Sequence, residues 1–460
     1  MDKYIILSLI LPFIGALGIK TLFKKKPVKT ALLFTLFQFI SLIFVWNCLK
    51  TSDVISFKYG INFFCDSLSF IFAITSALVG IFIFLYSINY FSDESIEQKN
   101  VFSFWSLIFL GSMMGVLFSD NLISMYLFWE LAGLCSWRLI GFYRKDEDLL
   151  KADKAFMITS GGAGIMLLSI GMIYLRTGTL NLSEMTGISV SPIIFLLFFI
   201  GVITKSATFP FHKWLPDASV APTPVTSFLH AAVLVKIGIY GLARLFGLTL
   251  SISGSIFWAG WLALFSSFLA GILALCEKDI KKVLAYSTIS QLGFMIAGLL
   301  VFQKTAFWGV ITFYVAHAIG KGGLFMCAGI LEKIFGTKDI RKMGSGMKLA
   351  PYTSFAFLFC FLSVSGAPPL LGFWGKLNII YGILKSGRNG FAFFAILTSI
   401  LTLFYLLRLF KYIFMRDIQQ TATVKKESNW KLMVISVVFL GIISLLFGLC
   451  FPFITGGLIE

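Results

Sequence analysis

Apolar runs of about 20 residues recur from one end of the chain to the other, each long enough to cross roughly 30 Å of hydrocarbon. Backbone inside a bilayer must satisfy its own N–H and C=O groups, so such runs have to be helices. The predicted fold class is therefore an all-α polytopic membrane protein. Composition agrees, with 58% hydrophobic, 17% aromatic and only 13% charged residues. Cutting the runs at their breakers gives about fourteen spans. They lie near residues 4–20, 31–49, 62–86, 101–118, 121–142, 153–176, 190–207, 222–246, 253–276, 282–302, 305–332, 351–383, 389–415 and 429–453. The run Tyr4–Ile19 is followed by the basic cluster Lys20–Lys29 and by no small-residue cleavage site, so it reads as a first span and not as a signal peptide.

The net charge of +17 is carried in short loops, the pattern that orients membrane helices, so no nucleic-acid partner is expected. Loops after odd-numbered spans hold most of the lysine and arginine, as in Lys20–Lys29, Arg144–Lys154, Lys278–Lys282, Lys333–Lys348 and Lys411–Lys426. Loops after even-numbered spans hold little: Lys50 and Lys58, Arg176, Arg244, Lys304, Lys385 and Arg388. This asymmetry predicts a multi-pass protein of the cell membrane with odd loops in the cytoplasm and both termini outside. The acidic loop Ser87–Asn100 fits less well, but carboxylates weigh little in the rule. The seven cysteines are scattered without a CxxC pair, and there is no glycine-rich phosphate loop, so no disulfide, metal site or redox cofactor is expected.

A weak internal repeat divides the chain. Asp120–Gly141 and Asp279–Gly298 both start at an acidic cap and end in Ile-Gly or Ala-Gly. Each is followed two spans later by a proline-broken helix, at Phe209–Pro216 and Gly366–Gly375. The expected organisation is 1–100 (helices 1–3), 101–248 (first repeat, helices 4–8), 249–416 (second repeat, helices 9–13) and 417–460 (helix 14). An odd number of spans per repeat gives two inverted five-helix copies, and paired broken helices in such copies point to an ion site near the midplane.

Ionisable side chains at that depth cost roughly 2.5–3.5 kcal/mol on insertion scales, so each is read as functional. Lys205 ends an apolar run beside the first break, and Lys236 sits well inside the next. Glu130, in YLFWELAGLC, is near the middle of its span and is the nominated partner of Lys205. Burial disfavours the charged form of a lysine and a carboxylate neighbour restores it, which makes such a pair a switchable proton site. His317 and Lys321 are four apart on one helix face among small residues. Lys376 follows the second break, and His230 and His212 flank the first, with His212 a secondary candidate. Histidine relays protons near neutral pH. Arg138 is expected to pair with the carboxylates of Asp146–Asp148.

These stretches resemble a known family, the antiporter-like subunits shared by respiratory complex I, energy-converting membrane-bound hydrogenases and Mrp-type sodium/proton antiporters. The resemblance runs through DSLSFIF (Asp66–Phe72), FWELAGLCSW (Phe128–Trp137), Lys205–Arg244, YSTISQLGFM (Tyr286–Met295), HAIGKGGLF (His317–Phe325) and GAPPLLGFWGK (Gly366–Lys376). It implies a fourteen-helix core with two inverted repeats and a charged axis of Glu130, Lys205, Lys236, Lys321 and Lys376, with the histidines between them. It also implies proton or sodium translocation within a larger membrane assembly, the redox centres lying in partner subunits and none in this chain. Lysine at 376 and arginine at 138 depart from some members of the family, and with nothing apolar read beyond the last span, the long lateral helix of the distal complex I subunit is not expected here. The preferred expectation is a subunit of a redox-driven complex, complex I-like or hydrogenase-like. The alternatives are a subunit of a multisubunit Na⁺/H⁺ antiporter without a redox partner, and a scaffold whose path has decayed.

Overall fold

A computed structural model describes residues 2–49, 55–59, 61–417 and 427–455. The loop lysines Lys50, Lys425 and Lys426 of the charge tally, and the end of the chain after 455, lie outside the described residues. The protein is a predominantly helical multi-span membrane protein. Among the described residues, ten helices are long and apolar enough to cross a bilayer.

The chain forms two compact units. The first holds the chain up to Phe84, Phe91–Ala207 and Val220–Ile256. Its helices are α1 (Asp2–Thr21), α2 (Pro27–Leu49), α3 (Ser67–Tyr90, shared with the second unit), α4 (Ile96–Phe118), α5 (Leu122–Ile140), α6 (Asp146–Thr177) and α7 (Pro192–Lys205). The segment Thr223–Thr249 follows after the break. The second unit takes Leu85–Tyr90, Thr208–Ser219 and the chain from Phe257 on. It contains α8 (Trp214–Asp217) and, after α9 (Thr223–Ser227) and α10 (Leu234–Leu242) of the first unit, α11 (Phe257–Cys276), α12 (Ile280–Leu299), α13 (Lys304–Phe335), α14 (Gly346–Leu349), α15 (Pro351–Ser365), α16 (Leu371–Lys385), α17 (Asn389–Phe410) and α18 (Lys431–Thr455).

Local chemistry fixes the helix ends. Asn121 caps α5 through Ile123 N–H at 2.9 Å, and Asp279 caps α12 through Lys281 N–H at 2.8 Å. Asp146, Glu147 and Asp148 fill the first turn of α6, where the helix dipole favours negative charge. Both 32-residue helices, α6 and α13, stop at a left-handed glycine, Gly178 and Gly336. The chain then returns to bridge the start of the preceding helix. Asn121 meets Asn181, 60 residues apart, and Asp279 meets Asp339 at the same separation. A 3₁₀ turn follows each bridge, Leu182–Glu184 and Ile340–Lys342.

Three features differ from the all-helical reading. Strands β1 (Ile55–Tyr59) and β2 (Ile61–Cys65) form an antiparallel hairpin where a third span was expected to begin, and α3 starts only at Ser67. Ser189–Val190 pairs in parallel with Ser251–Ile252. The expected uninterrupted span 222–246 is instead segmented: α9 gives way to a π-helical turn, Phe228–Ala232, then α10 and a second π turn, Ala243–Thr249. Val233, at φ −125° and ψ −77°, breaks the helix between them. The expected breaks after 205 and near 366 are present, the first between α7 and α8 and the second between α15 and α16. Each contains one cis prolyl bond, Phe209–Pro210 and Pro368–Pro369.

Candidate functional site

In the first unit Lys205 is the last residue of α7 and is fully buried. Its Nζ donates to the Trp129 carbonyl at 3.1 Å and lies 5.9 Å from the Trp129 ring. Ending the helix at Lys205 frees this side chain to reach across to α5. Gly133, one turn beyond Trp129, gives it room: a β-carbon there would stand 3.0 Å from the ammonium. Glu130 is half-buried and within electrostatic reach of Lys205, but the two form no ion pair; the lysine bonds to the backbone next door instead. Around it, Trp129 Nε1, Glu130 Oε1 and Ser160 Oγ are buried with no hydrogen-bond partner among the described residues. Buried polar atoms left in that state are the usual seats of ordered water.

Lys236 is fully buried in α10, and His230 is fully buried in the π turn before it. Such turns, rare elsewhere, are frequent at functional sites. Ser206, just past Lys205, donates to the Val235 carbonyl at 3.4 Å, and a β-carbon at Gly238 would meet the Val202 carbonyl at 3.0 Å. The end of α7 and the lysine-bearing part of α10 therefore pack closely. His212 is half-buried in the break, its ring stacked on Phe209 at 5.5 Å.

In the second unit His317, Lys321 and Lys376 are all buried. Lys321 Nζ donates to the Leu284 carbonyl at 3.1 Å and to the Ser287 hydroxyl. Lys376 Nζ donates to the Ser365 carbonyl at 3.0 Å, at the open end of α15, and lies 5.7 and 5.2 Å from the Phe294 and Phe313 rings. His317 faces the same Phe313 ring edge-on at 6.2 Å. Lys321 and Lys376 are close enough to feel each other's charge. Gly366, at φ +84°, turns the chain beside Lys376; a β-carbon there would lie 2.8 Å from the lysine Cδ.

Some charges are placed otherwise than expected. Arg138 makes no ion pair with Asp146–Asp148 among the described residues; its NH1 is buried unpartnered and Arg144 is its charged neighbour. The adjacent Trp137 donates to Asp153 at 2.7 Å. Arg244 and Lys281, tallied as loop charges, are buried in ion pairs. Arg244 forks onto Asp66 at 2.7 and 2.6 Å and also bonds Tyr240 and Ser69. Lys281 meets Glu332 at 2.7 Å. Burial pushes the Asp66 carboxyl up, but the Arg244 guanidinium and the Ser69 N–H outweigh it and hold the carboxyl below the usual carboxylate range. The sequence reading also missed Gly133, Ser160, Ser287 and the Ser365 carbonyl; only the small-residue spacing near Glu130 hinted at the first.

A multi-span helical membrane protein with lysines buried at and beside its helix breaks is the class this fold and site define. The family model described as NADH:quinone oxidoreductase/Mrp antiporter, transmembrane, matches residues 119–402. The chain belongs to that family. It is 37% identical over 432 residues to a Na⁺/H⁺ antiporter subunit of Alkalihalophilus pseudofirmus, covering 85% of this chain and 52% of that protein. It is 36% identical over 393 residues to the chloroplast NAD(P)H-quinone oxidoreductase subunit 5 of Adiantum capillus-veneris, covering 79% of this chain and 52% of that one. The chain thus spans about half the length of these relatives. The fold matches a chain in the structure of the Mrp complex from Dietzia sp. with a TM-score of 0.88 at 19% identity, over 100% of this chain and 96% of the other.

Proposed function

We propose that the chain is an ion-translocating, antiporter-like subunit of a larger membrane assembly, working with other membrane subunits in the lipid bilayer. Protons or sodium ions are moved along Glu130, Lys205, Lys236 and His230 in the first unit and His317, Lys321 and Lys376 in the second, with His212 in a secondary role. The observation that carries this reading is the shared arrangement of Lys205, Lys321 and Lys376. Each is buried and each holds a backbone carbonyl near 3 Å in place of a carboxylate. An ammonium held by neutral acceptors can give up its proton without leaving an uncompensated buried anion behind, whereas a tight ion pair cannot. The orphaned polar atoms around Lys205 supply seats for the water that would carry the proton onward.

The preferred setting is a redox-driven complex whose electron-transfer centres lie in partner subunits; the similarity to the oxidoreductase subunit supports it. The similarity to the antiporter subunit supports a second setting, a multisubunit Na⁺/H⁺ antiporter with no redox partner. Purifying the chain with its partners and recording iron–sulfur absorbance separates the two: a spectrum places it in the redox complex, and its absence in the antiporter.

Fourteen spans fit if Leu122–Ile140, Ile280–Leu299 and the two broken helices are added to the ten helices that meet the length and apolarity requirement. The matched 32-residue helices and the equally spaced bridges support two copies of one five-span unit. Five crossings per copy give them inverted topology, and an even total leaves both termini outside.

Lys205→Ala and Glu130→Ala test the path. Ion movement into everted vesicles holding the intact assembly should stop in both, while electron transfer by the partners partly survives. Wild-type ion movement in both variants refutes the proposal.

A further inference from the structure

The basic turn Lys20–Lys29 carries five lysines and no carboxylate, and the ion path above does not use it. Helices α1 and α4 touch at mid-length, where a β-carbon at Gly111 would stand 2.7 Å from the Phe13 ring. Beside the basic turn, a groove of about 460 Å³ lies between the foot of α1 and the start of α4. Lys20, Lys24, Lys25, Glu97, Phe104 and Trp105 are among its lining residues. Lys20 Nζ lies 4.1 Å from the centre of the Phe104 ring, a cation–π contact that holds the ammonium against the groove wall. Asn100 Nδ2 donates to the Lys24 carbonyl at 3.1 Å and to the Ile96 carbonyl at 2.8 Å, which ties the turn to α4. The Leu22 and Phe23 N–H groups both donate to the Gly18 carbonyl, at 2.8 and 2.9 Å, and close the end of α1. Both walls of the groove are therefore fixed by hydrogen bonds.

Among the described residues none of the three ammoniums forms an ion pair, although Glu97 stands in the same groove. Three cations facing one carboxylate leave the site positive. Trp105 beside them is a side chain enriched at headgroup level. Along α1 the site continues as an apolar stripe. Leu7, Ile10, Ile14 and Leu17 are exposed, and their spacing of three or four residues puts them on one face, with Lys20 next in line. From Ile10 to Lys20 the helix rises about 15 Å, half of the roughly 30 Å of hydrocarbon in a bilayer. A ligand that matches both parts has an anionic head and an apolar tail one leaflet long.

We propose that this groove is a binding site for one anionic glycerophospholipid. Its phosphodiester lies among Lys20, Lys24 and Lys25, and an acyl chain runs along Ile10, Ile14 and Leu17. Basic pockets between membrane helices hold anionic headgroups in this way. A headgroup hydroxyl, as in phosphatidylglycerol, donates to the Glu97 carboxylate, which accounts for one acidic side chain in a basic site. Phosphatidylcholine has neither the net charge nor a headgroup hydrogen to donate. Free phosphate shares the lysine chemistry but leaves the apolar stripe uncovered. The bound lipid would join the foot of α1 to the start of α4.

The test is photolabelling of the intact assembly in neutral detergent with phosphatidylglycerol that carries a diazirine in one acyl chain, the labelled peptides being mapped by mass spectrometry. Label on the exposed face of α17, at Phe393, Ile400 and Phe404, measures non-specific lipid in each sample. Peptides of α1 and of the start of α4 should be labelled above that level. Excess unlabelled phosphatidylglycerol should displace the label, and equal amounts of phosphatidylcholine or inorganic phosphate should not. The triple variant Lys20→Gln, Lys24→Gln, Lys25→Gln should lower groove labelling relative to α17 by about tenfold or more, the scale of three lost attractions to an anionic headgroup. The matching triple change to arginine should keep it. Thermal unfolding and the amount of the chain are recorded alongside. Wild-type labelling in the glutamine variant overturns the site, and so does displacement by phosphatidylcholine as effective as by phosphatidylglycerol. Displacement by inorganic phosphate overturns the lipid and leaves a plain anion site. If the glutamine variant does not accumulate, the competition series on the wild type and the arginine variant decides by the same criteria.

Discussion

Gly133 and Lys205 are in contact across α5 and α7: a β-carbon added to the glycine would stand 3.0 Å from the lysine Nζ. The space under the ammonium is therefore set by a missing side chain. Gly133→Val should push the ammonium off the Trp129 carbonyl with the lysine itself still present. Ion movement in vesicles should fall by about tenfold or more, since small misplacements of a reacting group carry penalties of that order. Gly133→Ala should do less. Equal rates in Gly133→Val and wild type would show that the position of the ammonium does not limit transport.

Gly366 combines a left-handed backbone with close approach to Lys376. Gly366→Ala should lose about 1–2 kcal/mol of stability from the backbone alone and should also shift the lysine stem, which a β-carbon would meet at 2.8 Å. Gly366→Asn separates the two effects, because asparagine tolerates the left-handed region. Thermal unfolding should recover in part with asparagine, whereas ion movement should not.

The Asp66–Arg244 pair predicts an acid-sensitive fold. The Asp66 carboxyl is held below its usual range, so its contribution is fully present at neutral pH and is lost as pH falls through the lowered folded-state value. Thermal stability of the wild type in detergent should decline toward acid. Asp66→Asn should remove this part of the pH dependence and lower stability at neutral pH by about 3–5 kcal/mol, the usual result of leaving a buried cation unpaired. An unchanged melting temperature in Asp66→Asn at neutral pH would contradict this.

Glu427 reaches back to cap the first half of the second broken helix. Its carboxylate accepts from Tyr352 N–H at 3.0 Å, Thr353 N–H at 3.1 Å and the Thr353 hydroxyl at 2.7 Å, at the start of α15. Glu427→Ala should cost about 1–2 kcal/mol, as removal of a strong cap does. Hydrogen–deuterium exchange should rise in the first turn of α15 and not in α16. Uniform exchange across both helices would show that the cap does not act locally.

The sequence was most legible where a residue violated its surroundings. Lysine in an apolar run and proline in a helix both stand out, and the burial of Lys205, Lys236 and Lys376 and the two breaks were legible that way. Charges near span edges were harder. Arg244 finds Asp66 178 residues away, and no local pattern separates such a buried arginine from one in a loop. The π turns around Lys236 left no mark, because their residues are as apolar as those of an ordinary helix. The hydroxyls of Thr402 and Tyr405 were silent for a similar reason: both lie on α17, and only the amide of Gln291 on α12, which bonds the two together, gives them a partner.

Helices α13 and α16 meet almost backbone to backbone. A β-carbon at Gly375 would lie 2.6 Å from Phe313 N, and one at Gly309 would lie 2.7 Å from Ile379 N. Two rods touching along their axes, with no side chains between them to reshuffle, have no slack through which to slide. Lys376 is thus mounted on a rigid wall. Any displacement of the Lys376 ammonium would therefore have to come from the swing of its own side chain, not from a shift of the scaffold beneath it.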